Sequence, residues 1–414
     1  MTAKSNQKNG NEKMRVLRIA HSSLTPALRH RERALARCYP DVDLEVITTN
    51  RWREAEVMVD AAPDELFPVR TARPYLSRHV QLFAYDPRPI IKALKSHRPH
   101  LIDLSHEPYS VACAEVLTLC AWFAPNVPIV MQTNQNILHN YPPPFDWLEQ
   151  RAFRRVAAAY ACSETVCEVL RAKGFDKLAP IVPFGVDTEA FRPKPASDKQ
   201  PGKPLTIGFV GRLLPGKGLN VLAGALEKLR TEAWRLLVVG DGVERKDFQR
   251  RLTDAGLDDR AVFTGAIEFD RVPEYFHQID VLVLPTETTK RIREQFGRVL
   301  VEAMASDVPV IGSTCGAIPE VIGDAGLVFA EGDAGALATA LRQMLTDADL
   351  RERLIVAGRR QVKQYSWDRV ADKTHELYRH VLSARAVTAR NGALATAQLV
   401  TLGCVMMSVL DLVV

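Results

Sequence analysis

Short apolar runs alternate along the chain with longer segments in which apolar residues return every three or four positions. The short runs are typical of strands in a buried sheet, and the longer segments of helices that cover one. In the first half, this pattern predicts strands at residues 15–21, 44–49, 101–104, 128–132 and 157–162. In the second half, it predicts strands at 206–210, 235–239, 261–264, 281–284 and 308–312. Strands that alternate with helices favour parallel sheets, so we predict an α/β protein with two Rossmann-like, doubly wound domains.

A polar segment at residues 191–204, rich in proline, lysine and glycine, separates the two series and predicts a linker. We therefore expect a first domain at 14–190 and a second domain at 205–365. Two such domains face each other across a cleft, which is the default place for a ligand. The polar residues 1–13 lack a hydrophobic signal core and predict a disordered extension.

The C-terminal residues 388–414 form an apolar tail whose role stays open. Residues 391–410 carry no charge and follow three arginines, and a run of that length can cross a bilayer. Several Thr, Ser, Gln, Ala and Gly residues make the run only weakly apolar. We favour a terminal helix packed on the protein, or a poorly ordered appendage, over a membrane-embedded segment.

Composition is that of an ordinary globular protein, with 47% hydrophobic and 25% charged residues among 414. The net charge of +5 does not imply nucleic acid, and we expect no nucleic-acid partner. The seven cysteines are scattered and form no C-x-x-C motif, so zinc sites and disulfide scaffolds are disfavoured. A reducing cytoplasm is the simplest location.

The first predicted helix, residues 27–39, is rich in arginine. It carries Arg29, Arg31, Arg33 and Arg37. A charged face of this kind is most often solvated, but it also suits an anionic lipid or a phosphorylated acceptor. We therefore keep peripheral contact with the inner face of a membrane as a second interpretation.

A glycine-rich loop follows the first strand of the second domain. Gly211 and Gly216 let backbone N–H groups approach a phosphate, and Arg212 and Lys217 add two cations. The loop matches neither the Walker pattern nor GxGxxG, so it could equally be an ordinary turn. The next strand ends in Asp241-Gly242, where a plain turn is again the simpler interpretation when it is taken alone.

Glu294 and Glu302 lie eight positions apart on either side of a predicted helix start. Eight helical residues rise about 12 Å, whereas a glycosidase pair must lie within about 10 Å across one sugar. The spacing instead suits two ends of one extended ligand. Glu294 precedes the helix, where Gln295, Phe296 and Gly297 offer free backbone N–H groups. Taken alone, Glu294 as a cap and Glu302 as a surface residue remain the simpler alternative.

The second half as a whole closely resembles the retaining family-4 glycosyltransferases, which have the two-domain GT-B fold. The matching text is GFVGRLLPGKG, VVGDG, FTG, LPT, EQFGRVLVEAMA and VPVIGSTCGAIPEVIGDAGLVF. The resemblance implies that Gly265, which ends FTG, borders the base of a nucleotide. It also implies that residues 366–387, which begin after Tyr365, form a helix crossing back to the first domain.

The same resemblance assigns roles to the motif residues. Arg212 and Lys217 would neutralise the diphosphate of a nucleoside-diphosphate sugar and stabilise it as a leaving group. Glu294 and the backbone of 295–297 would hold the sugar, and Glu302 the ribose. The family uses no metal and no cofactor beyond this sugar nucleotide as co-substrate. Asp41-Val42-Asp43 is a D-x-D string without a supporting motif, so we interpret it as a loop or turn and disfavour a metal-dependent GT-A enzyme.

The first half matches the family more loosely. The usual Gly-Gly loop after the first strand is replaced by a segment that contains Ser22. Polar residues after later predicted strands should also face the cleft, which makes them candidates for the acceptor side. The candidates are Ser22, His106, Glu107, Asn134 and Gln135.

These patterns predict a cytoplasmic glycosyltransferase that moves a sugar to a hydroxyl of a glycan or lipid-linked acceptor, in cell-surface polysaccharide or glycolipid assembly. An epimerase or phosphorylase on the same fold and a non-catalytic sugar-nucleotide-binding protein remain alternatives. A dehydrogenase is disfavoured because no GxGxxG follows the first strand.

Overall fold

The computed structural model describes residues 13–54, 57–193 and 203–385. The strands of the first domain are β1 (Met14–Ile19), β2 (Val42–Thr49), β3 (Arg51–Glu54), β4 (Val57–Asp60), β5 (Val69–Ala72), β6 (Pro74–Tyr75), β7 (Ala84–Tyr85), β8 (Leu101–Ser105), β9 (Ile129–Thr133) and β10 (Ala158–Ala161). Its helices are α1 (His30–Cys38), α2 (Pro87–Ser96), α3 (Val111–Phe123), α4 (Phe145–Arg155) and α5 (Glu164–Ala172).

The first domain is built on a six-stranded parallel sheet in the order β10-β9-β8-β1-β2-β5. Its central strands are buried along almost their whole length, as expected for a sheet covered by helices on both faces. The strand order reverses between β1 and β8, and ligands of such sheets bind where the carboxyl ends diverge. Two short antiparallel pairs, β3–β4 and β6–β7, lie outside the main sheet.

The second domain repeats this topology. Its strands are β11 (Leu205–Val210), β12 (Trp234–Val239), β13 (Ala261–Gly265), β14 (Val281–Leu284), β15 (Val310–Ser313) and β16 (Gly326–Phe329). Its helices are α6 (Leu219–Lys228), α7 (Arg245–Asp254), α8 (Val272–Phe276), α9 (Arg298–Ala305), α10 (Ile318–Ile322), α11 (Ala334–Thr346) and α12 (Ala348–Val362). The parallel order is β13-β12-β11-β14-β15-β16, so the reversal lies between β11 and β14. Two Rossmann-like domains are therefore confirmed.

A last helix, α13 (367–385), returns to the first domain after the second is complete. Its Val370, Leu377 and Tyr378 join Val16 and Leu35 in one buried cluster against the first sheet. The tail that we considered as a membrane segment lies outside the described residues, as do most of 1–13 and of the predicted linker. No helix in the described ranges is both long and apolar enough to span a bilayer.

The arginine-rich helix corrects one expectation. Arg29 and Arg31 are buried rather than solvated. Arg29 donates to the carbonyls of Ser23 (2.8 Å) and Leu24 (2.6 Å), and Arg31 reaches the carboxylate of Asp103 (3.0 Å). These two charges are paired with groups inside the domain, so α1 does not present these two cations to a lipid.

The D-x-D string is also placed differently from our interpretation as a loop. Val42 and Asp43 open β2, and Asp43 pairs in register with Arg15 of β1. Only Asp41 stays outside the strand, where its carboxylate lies 3.4 Å from Nε2 of His375 on α13. The string is thus part of the sheet and of its contact with α13.

Candidate functional site

Two loops meet at the reversal point of the second sheet. The loop after β11 ends at Gly218, the N-cap of α6, which has a φ of 71°. A Cβ on this glycine would lie 1.8 Å from the carbonyl oxygen of Pro285, which follows β14. Glycine is therefore required here both by the left-handed backbone and by the close approach of the two loops.

A lysine–glutamate pair bridges these loops. Lys217 Nζ donates to Oε2 of Glu294 at 2.7 Å, and Thr286 Oγ1 donates to the same oxygen at 3.1 Å. The two charged side chains are 22% and 15% exposed, so they are shielded but still partly accessible to solvent. Their partnership fixes one cation and one carboxylate at the carboxyl ends of β11 and β14.

The backbone of Glu294 is held from both domains. Its N–H donates to Cys315 Sγ (3.4 Å), and its carbonyl accepts from the N–H of Ala317 (3.0 Å). The same carbonyl accepts from Nδ2 of Asn136 (2.9 Å), which belongs to the loop after β9 in the first domain. The contact of Asn136 with Glu294 was not predicted, because the two residues lie 158 positions apart in the sequence.

The remaining cation of the glycine-rich loop is open. Arg212 is exposed, and within the described residues its guanidinium makes no ion pair. Gly211, Arg212, Gly216 and Lys217 all belong to the loop that follows β11. A loop with two cations, of which one makes no ion pair among the described residues, suits a ligand with more than one negative charge.

The predicted Gly-Asp-Gly corner is packed against the same loop. Gly240 N–H donates to the carbonyl of Gly265 at 3.0 Å, and Asp241 accepts from the N–H of Gly242 at 2.8 Å. Arg245 pairs with Asp241 at 2.8 Å, and these two contacts lower the pKa of that carboxyl. Asp241 therefore shapes the corner, while its charge is already matched within the domain.

Glu302 lies on the inner face of α9. The residue is only 6% exposed, so the alternative of a solvated surface residue is wrong. Burial raises its pKa to about 7, and the positive charge of Arg298 opposes this rise. The Glu302 side chain makes no hydrogen bond within the described residues, so it is available to hydroxyl groups of a ligand.

The residues between the two glutamates contribute backbone. Gly297 is the N-cap of α9 with a φ of 79°, and no side chain caps this helix start, so its first N–H groups are left for another partner. Gln295 uses its carbonyl to accept from Cys162 Sγ at 3.4 Å. The ring of Phe296 is buried between Phe184 and Tyr365, which anchors this loop across the domain boundary.

A pocket of about 200 Å³ occupies the reversal point of the first sheet. We call it the first-domain pocket. The structure brings four of the five acceptor-side candidates together in its lining, with His21 and Gln132 beside them: Ser22, His106, Glu107 and Asn134. Gln135 instead lines a neighbouring cavity, where it donates to the hydroxyl of Tyr141 at 2.8 Å.

The two histidines of the first-domain pocket are kept neutral. Burial lowers the pKa of His21 to about 4. Burial, His21 and Arg18 together hold the pKa of His106 well below its ordinary value, and Tyr85 OH lies 2.9 Å from its Nε2. Burial also raises the pKa of Glu107, which accepts from the N–H of Asn134 at 2.9 Å. The two imidazoles therefore offer neutral hydrogen-bonding partners suited to sugar or polyol hydroxyls.

Gln132 is a pocket residue that sequence reasoning missed. Its Oε1 accepts from Ser105 Oγ (2.9 Å) and from Nη2 of Arg18 (3.2 Å). These contacts all involve Oε1, and among the described residues no hydrogen bond of the amide N–H₂ is found. The only available signal was a polar residue at the end of an apolar strand.

Behind Gln132 lies a buried ionic cluster that joins α1, the sheet and α13. Asp103 is its centre and accepts from Arg18 (2.8 Å), Arg31 (3.0 Å) and Tyr160 (2.9 Å). Tyr378 of α13 donates to the same carboxylate at 2.5 Å. Through the bond of Arg18 to Gln132, the cluster is connected to the lining of the first-domain pocket.

Among residues 13–54, 57–193 and 203–385, no three His, Cys, Asp or Glu side chains are grouped as a metal site would require. Metal independence and the individual roles of the site residues stay predictions.

Comparison with known proteins matches both halves of the chain to glycosyltransferase models. Residues 191–361 match "Glycosyl transferases group 1", and residues 29–190 match "Glycosyltransferase Family 4". Sulfoquinovosyl transferase SQD2 of Arabidopsis thaliana is 29% identical over 341 residues, which are 74% of this chain and 63% of that protein. 2-Deoxystreptamine glucosyltransferase of Streptomyces kanamyceticus is 32% identical over 52% of this chain and 58% of its own. The chain thus spans less than two thirds of the length of these relatives.

Solved structures share the fold. HepE of Anabaena, determined with UDP, superposes with a TM-score of 0.69 over 89% of this chain and 100% of its own, at 18% identity. A glycosyltransferase of Rickettsia africae gives 0.68 over 89% and 99%, at 17% identity. At these identities the likeness shows the architecture alone, and it confirms the expected GT-B fold.

Proposed function

The chain belongs to the family-4 glycosyltransferases, and we propose that it is a retaining, metal-independent enzyme that transfers a sugar from a nucleoside-diphosphate sugar to an acceptor hydroxyl. The observation that carries this proposal is the pairing of Lys217 with Glu294 at 2.7 Å, in a loop that also carries the exposed Arg212. A lysine held against a carboxylate at the reversal point of a Rossmann-like sheet matches a diphosphate joined to a sugar.

Each group then binds one part of the extended donor. Arg212 and Lys217 stabilise the diphosphate as negative charge develops on the leaving oxygen. Glu294 accepts hydroxyls of the sugar, and the start of α9 adds backbone N–H groups. Glu302 accepts the ribose hydroxyls. The acceptor attacks from the side of the leaving group, whose diphosphate oxygen takes its proton, and contact between the domains excludes water.

We propose that the acceptor binds in the first-domain pocket. Its neutral imidazoles and the amide of Gln132 suit a polyhydroxylated group. HepE was solved with UDP and UDP-glucose, and several relatives are named as GDP-mannose-dependent, so uridine and guanosine nucleotides are the first donors to examine. We assign the enzyme to the assembly of a cell-surface glycan or glycolipid at the cytoplasmic face of a membrane.

A thermal-shift panel of nucleoside diphosphates and nucleotide sugars tests donor binding, because a ligand that binds the folded protein raises its melting temperature. The donor identified by this panel is then used in assays of sugar transfer and of donor hydrolysis. Glu294→Ala and Lys217→Ala should each lower turnover by at least about a hundredfold while the protein stays folded. Glu268→Ala and Lys228→Ala, at exposed positions of the same domain, serve as controls. Near-normal turnover in either site variant would contradict the assignment.

A further inference from the structure

The segment that joins β14 to α9 is held in place partly by the first domain. Its residues 293–296, which we call the Glu294 loop, belong to neither a strand nor a helix. A segment without the regular bonds of a helix or sheet needs other partners for its backbone N–H and C=O groups. The partners of the Glu294 loop therefore decide where the carboxylate of Glu294 lies.

Three consecutive carbonyl groups of this loop accept hydrogen bonds from side chains of the first domain. Nδ2 of Asn136 donates to the carbonyls of Arg293 (3.1 Å) and Glu294 (2.9 Å). Sγ of Cys162, directly after β10, donates to the carbonyl of Gln295 at 3.4 Å. In return, Nη1 of Arg293 donates to the carbonyl of Asn136 at 3.1 Å. We call these four hydrogen bonds the interdomain latch.

The second domain alone holds the loop less completely. It supplies a thiol sulfur of Cys315 as acceptor for the N–H of Glu294, and the N–H of Ala317 as donor to its carbonyl. Sulfur is a weak acceptor. Within the described residues, the carbonyls of Arg293 and Gln295 are bonded only by the first domain. The direction of this backbone thus depends on contact between the domains.

The latch is buried. Asn136 and Cys162 are each only 1% exposed. Donors and acceptors in such a place are fixed in direction and are shielded from competing water. When the domains separate, water takes the place of these donors, and the loop loses the bonds that orient it. The same motion therefore changes the surroundings of three backbone groups next to the Glu294 side chain.

We propose that Asn136 is a positioning residue, which orients Glu294 toward the sugar of the donor only while the two domains are in contact. The proposal rests on the proposed function for the role of Glu294. The nucleoside-diphosphate part of the donor is assigned to Arg212, Lys217 and Glu302, and none of these side chains takes part in the latch. Asn136 therefore affects sugar transfer more than it affects binding of the nucleotide.

The test compares turnover with nucleotide affinity in Asn136→Leu, which has a side chain of similar size but no donor. With the donor identified by the thermal-shift panel, we expect kcat to fall by about ten- to a hundredfold, as small displacements of reacting groups do. The Kd of the corresponding nucleoside diphosphate should change by less than about threefold. Asn126→Ala, at an exposed position of the loop before β9, is the control and should change neither value.

Cys162→Ala removes the second side-chain donor and keeps the proposal testable if Asn136→Leu does not fold. It should lower kcat by about threefold, again without loss of nucleotide affinity. An unchanged kcat in the folded variants would overturn the proposal. An equal loss of kcat and nucleotide affinity would overturn it as well, because that pattern indicates a general structural defect.

Amide hydrogen exchange of the ligand-free protein gives a measurement that does not depend on activity. Residues 294–297 should exchange faster in Asn136→Leu than in the wild type, whereas Asn126→Ala should match the wild type. Equal exchange in all three proteins would contradict the latch. Faster exchange in Asn136→Leu, together with a wild type that binds no nucleotide and transfers no sugar, would support the latch but contradict the proposed function.

Discussion

Replacing Glu302 by glutamine should make the protein more stable and a poorer binder of its donor. The carboxyl is buried in α9 without a hydrogen-bond partner among the described residues, and burial raises its pKa from 4.5 to about 7. The charged form is thus unfavourable in the folded chain. A glutamine of nearly the same shape removes that charge while keeping one acceptor oxygen.

The magnitude and its sign follow from the pKa. A rise of about 2.5 pKa units corresponds to about 3 kcal/mol. The folded state holds the proton more tightly than the unfolded state, so it binds more protons between pH 4.5 and 7. The free energy of unfolding of the wild type therefore falls as pH rises through this window. Glu302→Gln avoids this loss and should be more stable by up to about 3 kcal/mol at pH 8, with little difference below pH 4.5.

Thermal unfolding at pH 5 and pH 8 measures the effect. For a domain of this size, about 3 kcal/mol corresponds to roughly 6–12 °C. Glu268→Gln, at an exposed position of the same domain, is the control and should show no such pH-dependent gain. Donor titration should show affinity lowered by about tenfold or more, as expected when a charged hydrogen-bond acceptor is lost. A stability difference that is the same at both pH values would refute the argument from burial.

Two further variants test the scaffold, each by urea unfolding. Gly218→Ala should destabilise the protein by more than roughly 1–2 kcal/mol, which is the cost of holding an alanine in the left-handed conformation. The cost is larger because the new Cβ would also lie 1.8 Å from a carbonyl oxygen. Gly174→Ala is the control, since this glycine has a positive φ but open space around it, and it measures the backbone cost alone. Tyr378→Phe should lower the free energy of unfolding by about 1–3 kcal/mol, because it removes a hydrogen-bond donor to buried Asp103. Tyr75→Phe, at an exposed position, is the control and should change it very little. Equal losses in the two variants would contradict the anchoring role of the cluster.

The sequence predicted the fold where burial is continuous. Strands such as β14, whose four residues are all buried, produce apolar runs that only a covered parallel sheet explains. The edge strands β5 and β16 were missed, because each is short and partly exposed and therefore lacks that pattern. Helices α2 and α12 were also left out of the prediction.

The candidate site was likewise predictable only in part. Glycines and charged residues that follow strands were expected to lie together, because parallel strands bring their carboxyl ends to one edge of the sheet. Contacts between distant segments were not predictable. The Asn136 contact with Glu294 joins residues 158 positions apart. The burial of Arg31 depends on a carboxylate 72 positions away, so a single sequence could not distinguish it from a solvated charge.

The return of α13 to the first sheet has a consequence for biosynthesis. The second domain is continuous in sequence, so its strands can pair as soon as they leave the ribosome. The first domain cannot bury the face around Val16 and Leu35 until Val370, Leu377 and Tyr378 have been made. Its apolar surface is therefore exposed throughout translation of the second domain. Nascent chains halted near residue 360 should consequently recruit chaperones through their N-terminal half, although that half was synthesised first.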